Sequence, residues 1–293
     1  MTIHSPLASP AATIATLKRW GLYTNKALGQ HLLIDDGVVG RILRLAAPLS
    51  SSPDEGVLEI GPGVGTLTEA LLAQGVFLLA IEKDARFAPL LEDLRERHPE
   101  HFDFLVGDAV ALISQLKPTI SAVVANLPYA VAATLVLECF EQLVQVSSVT
   151  VMVQREVAAR MAAHPGSRDY GAYTVKLQLL AQVRASFSVA RENFLPPPRV
   201  DSTVIRLDRS STVLDKDLYA AAVFVADAAF AERRKTIRNS MRSYFAVQGL
   251  VPQCVDELLA ASGIDPKLRG EALTLEEYLR MGSRLHDYDS RWS

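Results

Sequence analysis

Gly56-Val57-Leu58-Glu59-Ile60-Gly61-Pro62-Gly63-Val64-Gly65-Thr66 is the stretch on which the fold turns. Residues Gly56 to Ile60 read as a buried strand, the glycines that follow as a tight turn, and Thr66 to Ala73 as a helix. Strand, glycine turn and helix in that order open a βαβ unit, and therefore an α/β protein with a parallel sheet. The glycines let a ligand approach the backbone. The dinucleotide-binding pattern would carry its third glycine one position later, where Thr66 stands, and Pro62 lacks an N–H that a phosphate would use. A ligand without phosphates fits better.

Working outward, three more strands end in chemistry. Val76 to Ile81 ends in Glu82, which is 21 residues past Gly61 and so at the distance where an acid binds both hydroxyls of a ribose. Phe102 to Val106 ends in Gly107-Asp108, a second acid, suited to an adenine edge. The apolar run Ile120 to Ala125 ends in Asn126-Leu127-Pro128-Tyr129. The Asn126 side-chain oxygen and the Leu127 carbonyl can each accept one N–H of an exocyclic amine, localising its lone pair on nitrogen. Pro128 stiffens the turn and pushes Leu127 toward extended angles, and Tyr129 offers a stacking face. These four residues alone equally suit an ordinary Asn-x-Pro turn with a core tyrosine. The order of glycine turn, acid, acid and Asn-x-Pro-aromatic matches a fold that binds S-adenosylmethionine and presents its methyl group to a base. It suits a nicotinamide dehydrogenase poorly.

Composition agrees with this class. The 293 residues are 49% hydrophobic and 22% charged, enough for a large core and a second, smaller domain. The longest apolar runs are too short to span a bilayer and Met1 to Ala15 does not read as a targeting segment, so a cytoplasmic protein with no membrane association is expected. Cys139 and Cys254 have neither metal-ligand spacing nor an adjacent histidine, so they read as free thiols, and no metal is expected. The net charge of −3 conceals a cluster between Glu232 and Arg242, where Arg233, Arg234, Lys235, Arg238 and Arg242 face one acid. A polyanion can dock on such a patch, although a solvated helix face accounts for it equally well.

The flanking segments divide the chain. Lys26 to Leu33 is aperiodic and packs a lysine, a glycine, an amide and an imidazole, as a ligand-touching loop would. Phe194 precedes Pro196-Pro197-Pro198, a stiff extended segment that positions its ring for stacking opposite Tyr129. Val183 to Val189 and Thr203 to Leu207 read as paired strands. From Ser211 the pattern is helical throughout: Lys216 to about Val247, Pro252 to Ser262 and Thr274 to about Leu285. On the first of these helices Phe230, Ile237 and Met241 share one arc, with Lys235, Arg238 and Arg242 beside it. The expected domains are 1–210 for catalysis and 211–293 as a helical domain contributing to RNA binding.

Over nearly its whole length the sequence resembles the small-subunit ribosomal RNA adenine dimethyltransferases, the KsgA/RsmA family. The resemblance rests on Lys26 with Gly29-Gln30-His31 and Leu33, Glu59-Ile60-Gly61-Pro62-Gly63, Asn126-Leu127-Pro128-Tyr129, Phe194 with Pro196-Pro197-Pro198 and Val200-Asp201-Ser202, and Arg233-Arg234-Lys235-Thr236-Ile237-Arg238-Asn239. Ile264-Asp265-Pro266 with Arg269, Glu271 and Leu273 extends it into the tail. It implies a Rossmann-like S-adenosyl-L-methionine-dependent methyltransferase domain followed by a smaller all-helical domain. His31 and Leu33 would line the methionine part of the cofactor, Gly61 its closest backbone approach, Glu82 the ribose and Asp108 the adenine amino group. Asn126 would touch cofactor and target, and Tyr129 and Phe194 would sandwich the target adenine. The implied partner is 16S rRNA within an immature small ribosomal subunit, engaged by a monomer, with N6,N6-dimethyladenosine made at two adjacent adenines near the 3′ end. Leu32 departs from the phenylalanine usual in the family. A large-subunit rRNA adenine methyltransferase and an assembly factor with secondary catalysis are the rival readings.

Overall fold

The computed structural model describes residues 3–25, 28–52, 54–116, 119–212 and 214–287. Lys26, expected in the ligand loop, lies outside them. The chain divides into two compact units, residues 1–158 with 183–209, and residues 159–182 with 210–293.

The first unit is built on a sheet whose strands are β2 (Gly56–Ile60), β3 (Leu78–Glu82), β4 (Phe102–Val106), β5 (Ile120–Asn126), β6 (Ser148–Gln154), β7 (Ala181–Val189) and β9 (Ser202–Arg209). The order across the sheet is β4-β3-β2-β5-β6-β9-β7. Neighbours from β4 to β6 run parallel, and β9 pairs antiparallel with β6 from Ser148↔Asp208 to Gln154↔Ser202. β2 and β3 are buried along their whole length, which explains their mostly apolar character, interrupted by Glu59 in β2 and Glu82 at the end of β3. The order reverses at β2, where β3 lies on one side and β5 on the other, so a crevice opens beyond the carboxyl ends of these strands. A separate two-stranded ribbon joins β1 (Leu32–Leu33) to β8 (Phe194–Leu195), pairing Leu33 with Phe194. Helices α2 (Asp36–Ala46), α3 (Thr66–Leu72) and α4 (Ala88–Arg97) send Ile42, Leu71 and Leu91 into one core with Val57, Ala80 and Val124 of the sheet.

The second unit is helical. Helix α8 (Ala172–Leu180) has its core partners there: Val175 and Leu179 are buried with Val225 and Ala229 of α9 (Lys216–Phe230). The sequence reading assigned α8 to the first domain, because nothing local signals which partner covers its apolar face. α9 and α12 (Leu275–Asp287) pack closely, since a Cβ on Gly282 would come within 2.8 Å of Ala222 backbone.

The single helix expected from Lys216 to Val247 is two helices, α9 and α10 (Ile237–Val247). Two buried or capping hydroxyls make the break. Thr236 accepts the Asn239 N–H at the start of α10, and buried Ser240 accepts the Glu232 N–H at 2.9 Å while donating to the Ala228 carbonyl at 2.8 Å. Phe230 therefore belongs to a different helix from Ile237 and Met241, and Arg233 to Lys235 lie in a turn. Among the described residues no helix is long and apolar enough to cross a membrane. Cys139 is a buried free thiol, pushed up to about 12 by burial, and Cys254 is half-buried and free.

Candidate active site

The crevice holds a cavity of about 370 Å³ lined by residues at the ends of four of the five parallel strands, β4, β3, β2 and β5, and from the loop 28–33. Because the strands run β4-β3-β2-β5, their terminal residues stand in the order Asp108, Glu82, Gly61, Asn126 along the sheet edge. At a strand spacing of about 4.8 Å the row covers roughly 14 Å, the length of a nucleoside extended by an amino-acid side chain.

Gly61 has φ +73° and donates its N–H to the Ile81 carbonyl at 2.9 Å, so the chain turns sharply while staying tied to β3. Gly63, at φ +56°, directs its N–H to Glu82 Oε2 at 3.0 Å, and a Cβ there would press to 3.0 Å from Leu32. Glu82 Oε1 accepts the Asp84 N–H at 2.8 Å. The carboxylate is thus aimed by two backbone donors. Burial pushes its proton affinity up, against the lowering effect of those hydrogen bonds, and Asp84 adds to the rise. Asp108 caps α5 (Ala109–Leu112) by accepting the Val110 N–H, and the Lys83 ammonium at 2.7 Å is the main reason its carboxyl is held low.

At the other end of the row, Asn126 Nδ2 donates to the His31 carbonyl at 2.9 Å. With the amide nitrogen engaged there, Oδ1 is the atom left to accept hydrogen bonds from a ligand. Leu127 is buried and its N–H bonds the Met152 carbonyl at 3.1 Å, which pins the turn to β6. The Pro128 carbonyl accepts from Val131, just before α6 (Ala132–Gln142). Tyr129 is half-buried, its hydroxyl 2.9 Å from the Ser202 Oγ, and burial raises its proton affinity. His31 stacks on Tyr129 with centroids 5.5 Å apart and an interplanar angle of 25°. Its Nδ1 donates to the Pro196 carbonyl at 2.8 Å, which fixes the orientation of the ring.

Phe194 is a correction. Expected on the open face opposite Tyr129, it is 2% exposed, sits in the main core and is absent from the cavity wall. It stands beside Leu33 in the β1–β8 register, within the main core, and borders a second, separate pocket with Arg191, Glu192, Pro197 and Pro198. The Phe194–Pro196 segment instead anchors the loop carrying His31. Leu33 lines the cavity, and Leu32, also part of its wall, presses on Gly63.

Three polar residues outside the expected set complete the site. Glu59, 1% exposed, lines the cavity and accepts from the Thr68 hydroxyl at 2.7 Å; burial first, then the charge of Glu82, pushes its carboxyl up to about 8. A lone acid inside an otherwise apolar strand was the available signal. Gln30 bridges the Asn25 N–H at 2.7 Å and Asp84 Oδ2 at 3.0 Å. Asp84 is buried and held down to about 2, chiefly by Arg86. No local pattern announces that pairing.

The cationic cluster of the second unit is less charged than its sequence. Lys235 pairs with Glu232 at 2.7 Å, and Arg238 pairs with Asp256 of α11 (Cys254–Ala261) at 2.6 Å, with Arg242 3.7 Å from the same acid. Arg233 donates to the Arg168 and Tyr170 carbonyls and approaches Glu271 at 3.6 Å, so it is a brace within this unit. Tertiary acids bring the local excess down. Arg234 is exposed and has no ion pair among the described residues.

Residues 21–286 match the family model described as ribosomal RNA adenine dimethylase. A ribosomal RNA small subunit methyltransferase A of Acidothermus cellulolyticus is 41% identical over 92% of this chain and 92% of its own, and one of Shouchella clausii is 36% identical over 98% of each. Among solved structures, the 23S rRNA methyltransferase ErmE superposes with a TM-score of 0.62 at 25% identity, covering 87% of this chain and 99% of its own. A dimethyladenosine transferase from Plasmodium falciparum shares the fold with a TM-score of 0.73 at 24% identity, over 89% and 98%.

Proposed function

The chain belongs to the ribosomal RNA adenine dimethylase family, and from that premise we propose that it methylates N6 of two adjacent adenines near the 3′ end of 16S rRNA during small-subunit assembly. It is an rRNA adenine dimethyltransferase that draws its methyl groups from S-adenosyl-L-methionine, acting as a monomer in the cytoplasm. One observation carries the residue assignments: the sheet order sets Asp108, Glu82, Gly61 and Asn126 in a row around one cavity.

The residues present fit S-adenosylmethionine. Glu82 is a buried acid aimed by two N–H groups and without a cationic partner among the described residues, so hydroxyl donors such as those of a ribose are suitable complements. Asp108 is placed for an adenine amino group, Gly61 and Gly63 allow close backbone approach, and His31 and Leu33 wall the methionyl portion. The bound group supplies a methyl already activated by a positive sulfur, so the protein's work is positioning.

The target adenine stacks on Tyr129, whose hydroxyl is anchored by Ser202. Asn126 Oδ1 accepts one amino N–H, its orientation held by the His31 carbonyl, and the Leu127 carbonyl accepts the other. This concentrates the lone pair on N6, which takes the methyl while the C–S electron pair stays with the cofactor as its neutral thioether, and the N6 proton then passes to water without a strong base. In the second unit Arg234, with Arg238 and Arg242 nearby in sequence, meets RNA phosphates.

The test is methyl transfer from labelled S-adenosylmethionine to small subunits lacking dimethyladenosine, read by nucleoside mass spectrometry. Dimethyladenosine at the adjacent pair is expected. Label confined to large-subunit RNA would assign the chain to that substrate instead, and binding without transfer would make it an assembly factor.

A further inference from the structure

Tyr23 is the most conspicuous aromatic ring on the first unit that the transfer reaction leaves unused. It is 66% exposed, yet its position is defined, because the Arg86 guanidinium lies 4.2 Å from the ring centroid. Arg86 is itself fixed by Asp84: its Nε donates to Oδ1 at 2.8 Å and its Nη2 to Oδ2. Asp84 also receives Gln30 Nε2, and Gln30 Oε1 accepts the Asn25 N–H. Tyr23 is therefore connected through Arg86, Asp84 and Gln30 to the loop whose next residue, His31, lines the cavity and orients Asn126.

We propose that Tyr23, backed by Arg86, is a stacking platform for an unpaired RNA base flanking the target adenine. The inference rests on the reading of the site as one that acts on RNA. A target base placed in the cavity leaves its neighbour without its stacking partner. Tyr23 offers a π-face to that neighbour. Its other face is occupied by a cation, and an exposed ring that is already oriented loses little entropy on stacking.

The surroundings suit a polyanion better than a protein. Helix α1 (Pro10–Arg19) carries Lys18 and Arg19 in its last turn, and Gly21, at φ +62°, reverses the chain so that Tyr23 follows directly. Neither cation has an acidic partner among the described residues, and Arg19 lies 5.6 Å from the Trp20 ring. The one acid tied to this segment, Asp84, is buried and consumed by Arg86 and Gln30. Aromatic and basic groups close together in sequence match a nucleic-acid strand, whose bases stack while its phosphates meet Lys18 and Arg19.

The experiment compares wild type, Tyr23→Ala and Tyr23→Phe, measuring affinity for unmethylated small subunits, kcat and KM for methyl transfer, and S-adenosylhomocysteine binding. The platform requires Tyr23→Ala to lose about tenfold in subunit affinity, seen mainly in KM, with Tyr23→Phe near wild type and S-adenosylhomocysteine affinity unchanged in both. Unchanged subunit affinity in Tyr23→Ala would overturn it. So would a loss that Tyr23→Phe shares, which would assign the effect to the hydroxyl, or a parallel loss of S-adenosylhomocysteine binding, which would assign it to loop collapse. A wild type that binds subunits in a Tyr23-dependent way but transfers no methyl would sink the transferase reading and leave the platform standing. A wild type that methylates with no dependence on Tyr23 would do the reverse.

Discussion

Glu59→Gln should stabilise the protein, and increasingly so as pH rises. The carboxyl is 1% exposed and accepts a hydrogen bond from Thr68, and burial pushes it up to about 8 from an ordinary value of 4.5. A raised carboxyl pKa means that the folded state keeps a proton the unfolded chain releases. Stability from this group is therefore complete below about pH 4.5 and declines as pH rises toward 8, where the folded group also ionises. The rise from 4.5 to about 8, at about 1.4 kcal/mol for each tenfold in proton affinity, puts the full loss on the order of 5 kcal/mol. At neutral pH roughly two-thirds of it is already present. Glutamine keeps the shape and an acceptor for Thr68 but never charges, so it lacks this loss. Urea unfolding of wild type and Glu59→Gln at a series of pH values from 5 to 9 reads the difference due to Glu59 together with its coupling to Glu82, whose charge faces it. The variant should be close to wild type near pH 5 and more stable by at least ~2 kcal/mol near pH 8.5. Parallel stability curves would refute the assignment of a protonated, buried Glu59.

Asn126→Ala should abolish methyl transfer while leaving subunit affinity near wild type; full activity would end the amine-localising role. Arg234→Glu should weaken RNA binding and lower the salt slope by about one, whereas Arg233→Ala should act mainly on thermal stability, because its guanidinium braces two carbonyls. Ser240→Ala should cost about 2–4 kcal/mol in chemical denaturation, since it strands the Glu232 N–H and Ala228 carbonyl at the junction of α9 and α10. A change under about 0.5 kcal/mol would mean that water or a rearranged turn replaces the hydroxyl.

Gly61, Glu82, Asp108 and Asn126 were legible because each stands at or just past the end of a short, mostly apolar strand. Strand formation and glycine turns depend on residues within a few positions of one another, so the chain announces them. The break at Ser240 was not legible, as the helical periodicity continues across it and the decisive bonds reach back to Glu232 and Ala228. Phe194 shows a related limit: an aromatic before three prolines is well placed to stack on a base or to enter the core, and its burial depends on a core assembled from segments far away in the chain.

The sequence by itself determined which strand ends carry acids, glycines and the Asn-Leu-Pro-Tyr turn, together with a helical tail bearing cations. The tertiary structure decided how those features meet. The order β4-β3-β2-β5 turns scattered residues into one row, Asp256 and Glu271 offset arginines that look free along the chain, and Asp84 ties Arg86 and Gln30 into the wall of the site. Backbone conformation and apolar periodicity are local properties, while burial, charge pairing and strand adjacency depend on residues tens or hundreds of positions apart, which meet only once the chain has folded.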